Sequence, residues 1–259
     1  MSDLGDKRAS DMLNKVPEVT LAFWVIKIMS TTVGETGADY LAVHVGLGTA
    51  ITGGIMAILL IAALIAQLRS RRYVPWIYWL TVVLVSVVGT QITDALTDGL
   101  DVSLYLSTTV FALALAATFA VWYSIERTLS IHTIVTRRRE LFYWAAILFT
   151  FALGTAAGDL ATEALNLGFK VGVLVFGALI AAIASAFCLG ANAVLTFWLA
   201  YILTRPLGAS LGDLLSQSRT YGGLGMGTVN TSIIFLVVIT ALVTLLSIGA
   251  NGARMRPLR

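Results

Sequence analysis

The chain has 259 residues, of which 58% are hydrophobic and only 12% charged, with a formal net charge of +3. A soluble domain carries about 25% charged residues, so the composition excludes a soluble globular protein. Apolar runs that reach the roughly 20 residues a spanning helix needs mark an integral membrane protein, and the small positive charge is no sign of a nucleic-acid partner.

In chain order, residues 1–18 form a polar arm. Asp3, Asp6, Lys7, Arg8, Asp11, Lys15 and Glu18 interrupt it, and it lacks the apolar core and cleavage site of a signal peptide. Repeat 1 covers 19–70, repeat 2 covers 71–125, repeat 3 covers 140–190 and repeat 4 covers 191–250. Residues 126–139 are a basic linker between halves, with His132 as a solvated loop residue, and 251–259 are a basic tail. Each repeat is predicted to supply two transmembrane helices. The second of each pair is plain and apolar: Gly46 to Leu68, Ser103 to Ile125, Lys170 to Leu189 and Thr228 to Gly249. The expected fold class is an all-α polytopic membrane protein, with eight transmembrane helices arranged as four two-helix repeats. Cys188 is the only cysteine, so no intrachain disulfide forms; a mid-helix packing role is expected for it. The glycine-rich segment Tyr221 to Gly227 has no preceding strand and no following Lys-Ser/Thr, so it is read as a flexible connection and not as a nucleotide loop.

Basic residues set the orientation. Lys7, Arg8 and Lys15 precede the first helix. Arg69, Arg71, Arg72, Arg127, Arg137, Arg138, Arg139, Arg254, Arg256 and Arg259 follow even-numbered helices. Both termini are therefore expected in the cytoplasm. A repeat with two spans enters and leaves on one side, so the four copies are expected to be parallel repeats about an axis along the membrane normal. A pseudo-fourfold ring and two pseudo-twofold halves both fit.

One pattern is written four times. Trp24, Gly34 and Asp39 stand ten and then five residues apart, as do Trp79, Gly89 and Asp94, then Trp144, Gly154 and Asp159, then Trp198, Gly208 and Asp213. Fixed-period self-similarity decides architecture before local argument. The tryptophans lie near the cytoplasmic ends of their helices and are expected as membrane anchors. The glycines either let helices approach closely or loosen the helix and expose carbonyls.

Residues four apart share a helix face. The first helix of each repeat then shows one polar stripe. Lys27, Thr31, Glu35 and Asp39 form it in repeat 1, and Ser86, Thr90, Asp94 and Asp98 in repeat 2. Thr155, Asp159 and Glu163 follow Phe151 in repeat 3; Arg205, Ala209, Asp213 and Gln217 complete repeat 4. Intramembrane acids face a bundle interior or a water-filled cavity, so the stripes are expected to face one another around a central polar site. Seven acids (Glu35, Asp39, Asp94, Asp98, Asp159, Glu163 and Asp213) stand against two bases, Lys27 and Arg205. A bound cation or shared protons would relieve their repulsion. Oxygen ligands of this kind suit hard divalent ions such as magnesium or manganese, with His44 as a further ligand or a structural residue. Lys27 and Arg205 are counter-ions to the acids, or Lys27 titrates against a substrate cation. Thr31, Thr90, Thr155 and Gln217 line the same face, and Pro206 is expected to kink its helix and make repeat 4 the moving part.

On these residues the chain resembles a bacterial membrane-protein family defined by four tandem copies of a short repeat of unknown function, each with two membrane segments and a tryptophan. The resemblance runs from about Trp24 to the end of the last helix. It implies the repeat architecture and a bacterial inner-membrane setting, and it carries no activity. Val43, Phe151 and Ala209 interrupt the stripes, so the four copies are not equivalent.

The expected function is secondary transport of a small cation, a divalent metal first, with proton coupling through the carboxylates. The metal is cargo and no resident cofactor is expected. A cation channel with an acidic ring and a carrier of an organic cation held by aromatic rings are the alternatives. No nucleophile elbow, HExxH or cofactor motif is present, so an enzyme is not expected. The expected partners are the lipid bilayer and the small cation; the sequence allows an oligomer without requiring one.

Overall fold

The computed structural model describes the backbone of residues 14–40, 48–165 and 167–254, and their side chains except at 38, 39, 49, 98, 163, 164 and 250–254. His44, Val43, most of the arm and the end of the tail lie outside the described residues, as do the side chains of Asp39, Asp98 and Glu163.

The described residues form eight long helices: α1 (Leu21–Asp39), α2 (Gly48–Arg69), α3 (Pro75–Leu100), α4 (Leu104–Glu126), α5 (Arg137–Asp159), α6 (Gly168–Cys188), α7 (Ala193–Ser216) and α8 (Thr228–Arg254). A π-helical turn, Leu160–Ala164, extends α5. The helices start where the sequence offers a cap. The hydroxyls of Thr20, Ser103 and Thr136 accept from Phe23, Leu106 and Arg139 backbone N–H groups. Asn192 accepts from Val194 and Leu195, and Pro75 opens α3, where its missing N–H costs nothing. Cys188 is exposed at the end of α6, not packed in mid-helix.

Seven of these helices are long and apolar enough to cross a membrane, which makes the chain a multi-pass membrane protein. The exception is α1, whose interior carries Lys27, Ser30, Thr31, Thr32, Glu35 and Thr36, all buried.

Burial separates two layers. In the spanning windows of α3, α5 and α7, 67, 61 and 61% of residues are buried; in α2, α4, α6 and α8 the shares are 22, 17, 11 and 11%. The inner helices close on themselves: α1 packs on α3, α3 on α5, α5 on α7, and α7 back on α1. Each outer helix packs chiefly on the inner helix of the following repeat, α2 on α3, α4 on α5 and α6 on α7, and α8 completes the cycle on α1. The four repeats therefore form a closed pseudo-fourfold ring, which decides between the two arrangements the sequence allowed.

Two sets of contacts repeat around it. A Cβ built on Gly34 would lie 2.6 Å from the Ser86 Cβ; on Gly89, 2.7 Å from the Phe151 Cβ; on Gly154, 2.5 Å from the Arg205 Cβ; on Gly208, 2.7 Å from the Thr31 Cβ. Each repeat glycine thus touches the residue three before the glycine of the next repeat, and the last returns to the first. These glycines sit in unbroken α-helix and are places of close approach, not of unwinding.

The second set is aromatic. Phe23 meets Trp79 at 5.5 Å between ring centroids, Tyr78 meets Trp144 at 5.6 Å, Tyr143 meets Trp198 at 6.2 Å, and Phe197 meets Trp24 at 5.7 Å. The residue before each tryptophan packs, ring tilted against ring, on the tryptophan of the next repeat. This corrects the expectation of membrane anchors. Trp79, Trp144 and Trp198 are buried and Trp24 is half-buried, so the girdle binds repeat to repeat and does not face lipid head groups.

The connections are also ordered by packing. The backbone N–H groups of Leu224, Gly225, Met226 and Gly227 donate to the carbonyls of Leu214, Gln217, Leu215 and Ser216, capping the end of α7. Gly222, Gly225 and Gly227 take φ of 89, 76 and 80°, which side chains rarely adopt. The glycine-rich segment is a helix cap, where the sequence suggested a flexible loop.

Candidate functional site

Arg205 is the hub of the polar residues that the ring interior brings together among the described side chains. It projects from α7 and is fully buried. Its Nη1 donates to the Thr31 carbonyl at 2.7 Å and its Nη2 to Glu35 Oε2 at 2.5 Å, both on α1. Nη2 also donates to Thr90 Oγ1 on α3, and Nε donates to Thr155 Oγ1 on α5 at 3.0 Å. One guanidinium therefore ties together all three other inner helices. Glu35, Thr90 and Thr155 are the residues that follow the repeat glycines. The fourth such residue is Ala209, a small side chain on the helix that carries the arginine.

The threonines are pre-set for this role. Thr90 and Thr155 each donate to the carbonyl four residues back, Ser86 and Phe151, at 3.1 Å. Their lone pairs are left to accept from Arg205. Thr31 and Thr32 donate across the ring seam to the carbonyls of Thr204 and Gly208 at 3.2 and 3.0 Å. Pro206 is accommodated in an unbroken α7. A Cβ on Gly154 would lie 3.1 Å from its Cδ, and Gly158 lies against its Cα, so the proline packs on glycines of α5.

Lys27 lies one level toward the helix N-termini. It is fully buried, and its Nζ stands 3.9 Å from the centroid of Phe151 and 4.2 Å from that of Tyr201. No hydrogen-bond partner reaches it among the described residues. It is thus held by ring faces and not by a carboxylate, unlike the counter-ion role expected from the sequence. Phe151 lies on α5, across the ring from α1, so Lys27 spans the interior. Arg205 Cζ is 6.0 Å from the same ring.

Asp94, Asp159 and Asp213 sit one turn beyond the Arg205 layer. They are half-buried and none is without a partner. Asp39 ends α1 in backbone position. Gln217 is the residue after α7, and its carbonyl accepts from Gly225 at 2.8 Å. Among the described residues no three His, Cys, Asp or Glu side chains converge as they would around a metal. A cavity of about 590 Å³ lies outside the ring, near Glu18, Trp24, His132, Phe187 and Phe197, and includes none of the stripe acids.

Sequence reasoning missed two groups. Lys15 Nζ is 2.5 Å from Glu140 Oε2, with Gln67 Nε2 donating to Glu140 Oε1 at 3.2 Å. This pins the arm to α2 and α5. Glu126 accepts from Arg138 and from Arg139, the latter at 2.7 Å, so the basic linker is partly neutralised within the chain. The second group is the aromatic residue before each tryptophan, which the fourfold alignment of the repeats already displays.

The Repeat of Unknown Function model (DUF347) matches residues 22–73, 77–128, 142–189 and 196–248. No curated protein and no solved structure matches the chain. Its four matched repeats, which together cover most of the chain, place this membrane protein in the DUF347 repeat family.

Proposed function

We propose that the chain is a secondary transporter of a cation in the bacterial inner membrane. In this reading all eight helices span, the four repeats run parallel, and both termini are cytoplasmic. The glycine and aromatic contacts at equivalent repeat positions support a common direction, and the basic residues after even helices support the orientation.

The observation that carries the proposal is the buried Arg205–Glu35 pair on the ring interior. A fixed buried pair is weak evidence for stability; the pair joins α7 to α1, and the same guanidinium also holds α3 and α5 through Thr90 and Thr155, a placement that suits a gate. A cargo cation competes with Arg205 for Glu35 after entering past Asp94, Asp159 and Asp213. Arg205 returning to Glu35 closes the path behind it. Protons shared among the carboxylates supply the coupling. Metal and organic cations are the two cargo classes, and the inner-helix acids Asp39, Asp98 and Glu163 belong to the metal reading.

An acidic-ring channel is the weaker reading. Lys27, Phe151 and Arg205, from three different repeats, fill the interior, and a continuous pore would need all three to move.

The test is flux into proteoliposomes, with manganese, magnesium, calcium, zinc and sodium offered separately. Asp→Asn variants at 39, 94, 159 and 213 are compared with the wild type. Saturable flux of one ion that falls in the variants and responds to a pH gradient supports the proposal. A folded, inserted protein that moves none of these ions and no organic cation contradicts it.

A further inference from the structure

We infer that the faces of Phe151 and Tyr201 form a binding site for a small alkylated ammonium, occupied in this state by Lys27 as a tethered surrogate. The inference names the cargo class within the transporter reading and rests on that reading for the claim that the ligand is carried.

A primary ammonium has three N–H donors, and burying it without acceptors is costly. Lys27 Nζ has no acceptor among the described residues, yet it is fully buried. What holds it is attraction to two ring faces at 3.9 and 4.2 Å, an interaction indifferent to N–H groups. The site is thus better matched to a cation without N–H donors than to the lysine that fills it. It is poorly matched to a divalent metal, which requires oxygen ligands.

The position of the site supports the assignment. Lys27 and Tyr201 occupy the same register in repeats 1 and 4, where repeats 2 and 3 have Val82 and Ile147. Only one corner of the ring can therefore hold a cation in this way. The site adjoins the gate, because Arg205 approaches the same Phe151 ring. Removing the lysine stem frees space at the rings for the incoming cation.

The experiment measures tetramethylammonium binding to the full chain in lipid nanodiscs by calorimetry, with thermal unfolding as a second readout. Lys27→Ala is expected to bind at least roughly tenfold more tightly than the wild type, because the tethered competitor is gone. Adding Phe151→Leu is expected to weaken binding roughly tenfold or more, and Tyr201→Phe, which keeps the ring, to preserve it. The wild type is expected to show a smaller thermal shift as the ammonium displaces Lys27. Folded Lys27→Ala that binds no more tightly than the wild type overturns the inference. If Lys27→Ala does not fold, the wild type decides: absence of a shift that Phe151→Leu would otherwise abolish overturns it. Binding without flux of ammonium or of any other cation leaves the site and removes the transport reading. Flux of another cation without ammonium binding does the reverse.

Discussion

Arg205 is the residue on which the interior depends. Its five donors lie in a fixed fork, and four hydrogen bonds from that fork reach Thr31, Glu35, Thr90 and Thr155. Lysine has a single flexible ammonium and cannot span these partners together. Glu35→Gln leaves the guanidinium buried without its counter-charge. Breaking a buried pair from one side costs about 3–5 kcal/mol, so a marked fall in the thermal midpoint is expected in detergent. Thr155→Ser, which keeps the acceptor, is expected to stay near wild type. An unchanged midpoint in Glu35→Gln would mean that the pair is not formed in the folded protein. The sequence revealed Arg205 and Glu35 as intramembrane charges, but not as partners, since they are 170 residues apart. It also gave no sign that Lys27 faces aromatic rings, because that contact crosses from α1 to α5 and obeys no local spacing.

At the scale of the helix, the glycines govern how closely the inner helices approach. Gly34, Gly89, Gly154 and Gly208 each have a neighbouring Cβ within 2.7 Å of where a methyl would sit. Overpacking of this kind costs roughly 1–3 kcal/mol. Alanine at any of the four is therefore expected to destabilise the protein by about that much. Gly177→Ala on outer helix α6, where nothing lies within 4 Å, is expected to be neutral or mildly stabilising. Equal effects at Gly177 and Gly154, read by thermal unfolding, would contradict the close approach. Helix existence was legible because apolar length and caps are local properties: the expected second segments of each repeat match α2, α4, α6 and α8 to within a few residues. The role of the tryptophans was not. An aromatic near a helix end fits lipid anchoring and helix packing equally well, and only the contact from Phe23 to Trp79, repeated around the ring, separates them.

For the whole molecule, the repeat count was legible and the closure was not. Four copies of one register imply four units, but a single sequence does not say which unit touches which. The answer lies in the displaced pairing, with each outer helix serving the next repeat and α8 serving the first. That pairing makes the first and last repeats neighbours, and it places Lys27 and Arg205, from repeats 1 and 4, in one interior. The seam is marked by Thr36 on α1 and Ser232 on α8, whose hydroxyl oxygens are 2.6 Å apart. The most direct test of the closed ring is therefore a disulfide between Thr36→Cys and Ser232→Cys, in a Cys188→Ser background, followed in membranes by mass spectrometry. Side chains this close fall within reach of disulfide geometry. The ring predicts a ready intrachain bond between these two positions. Free thiols at both positions in folded, oxidised protein would contradict it, and the shared interior with it.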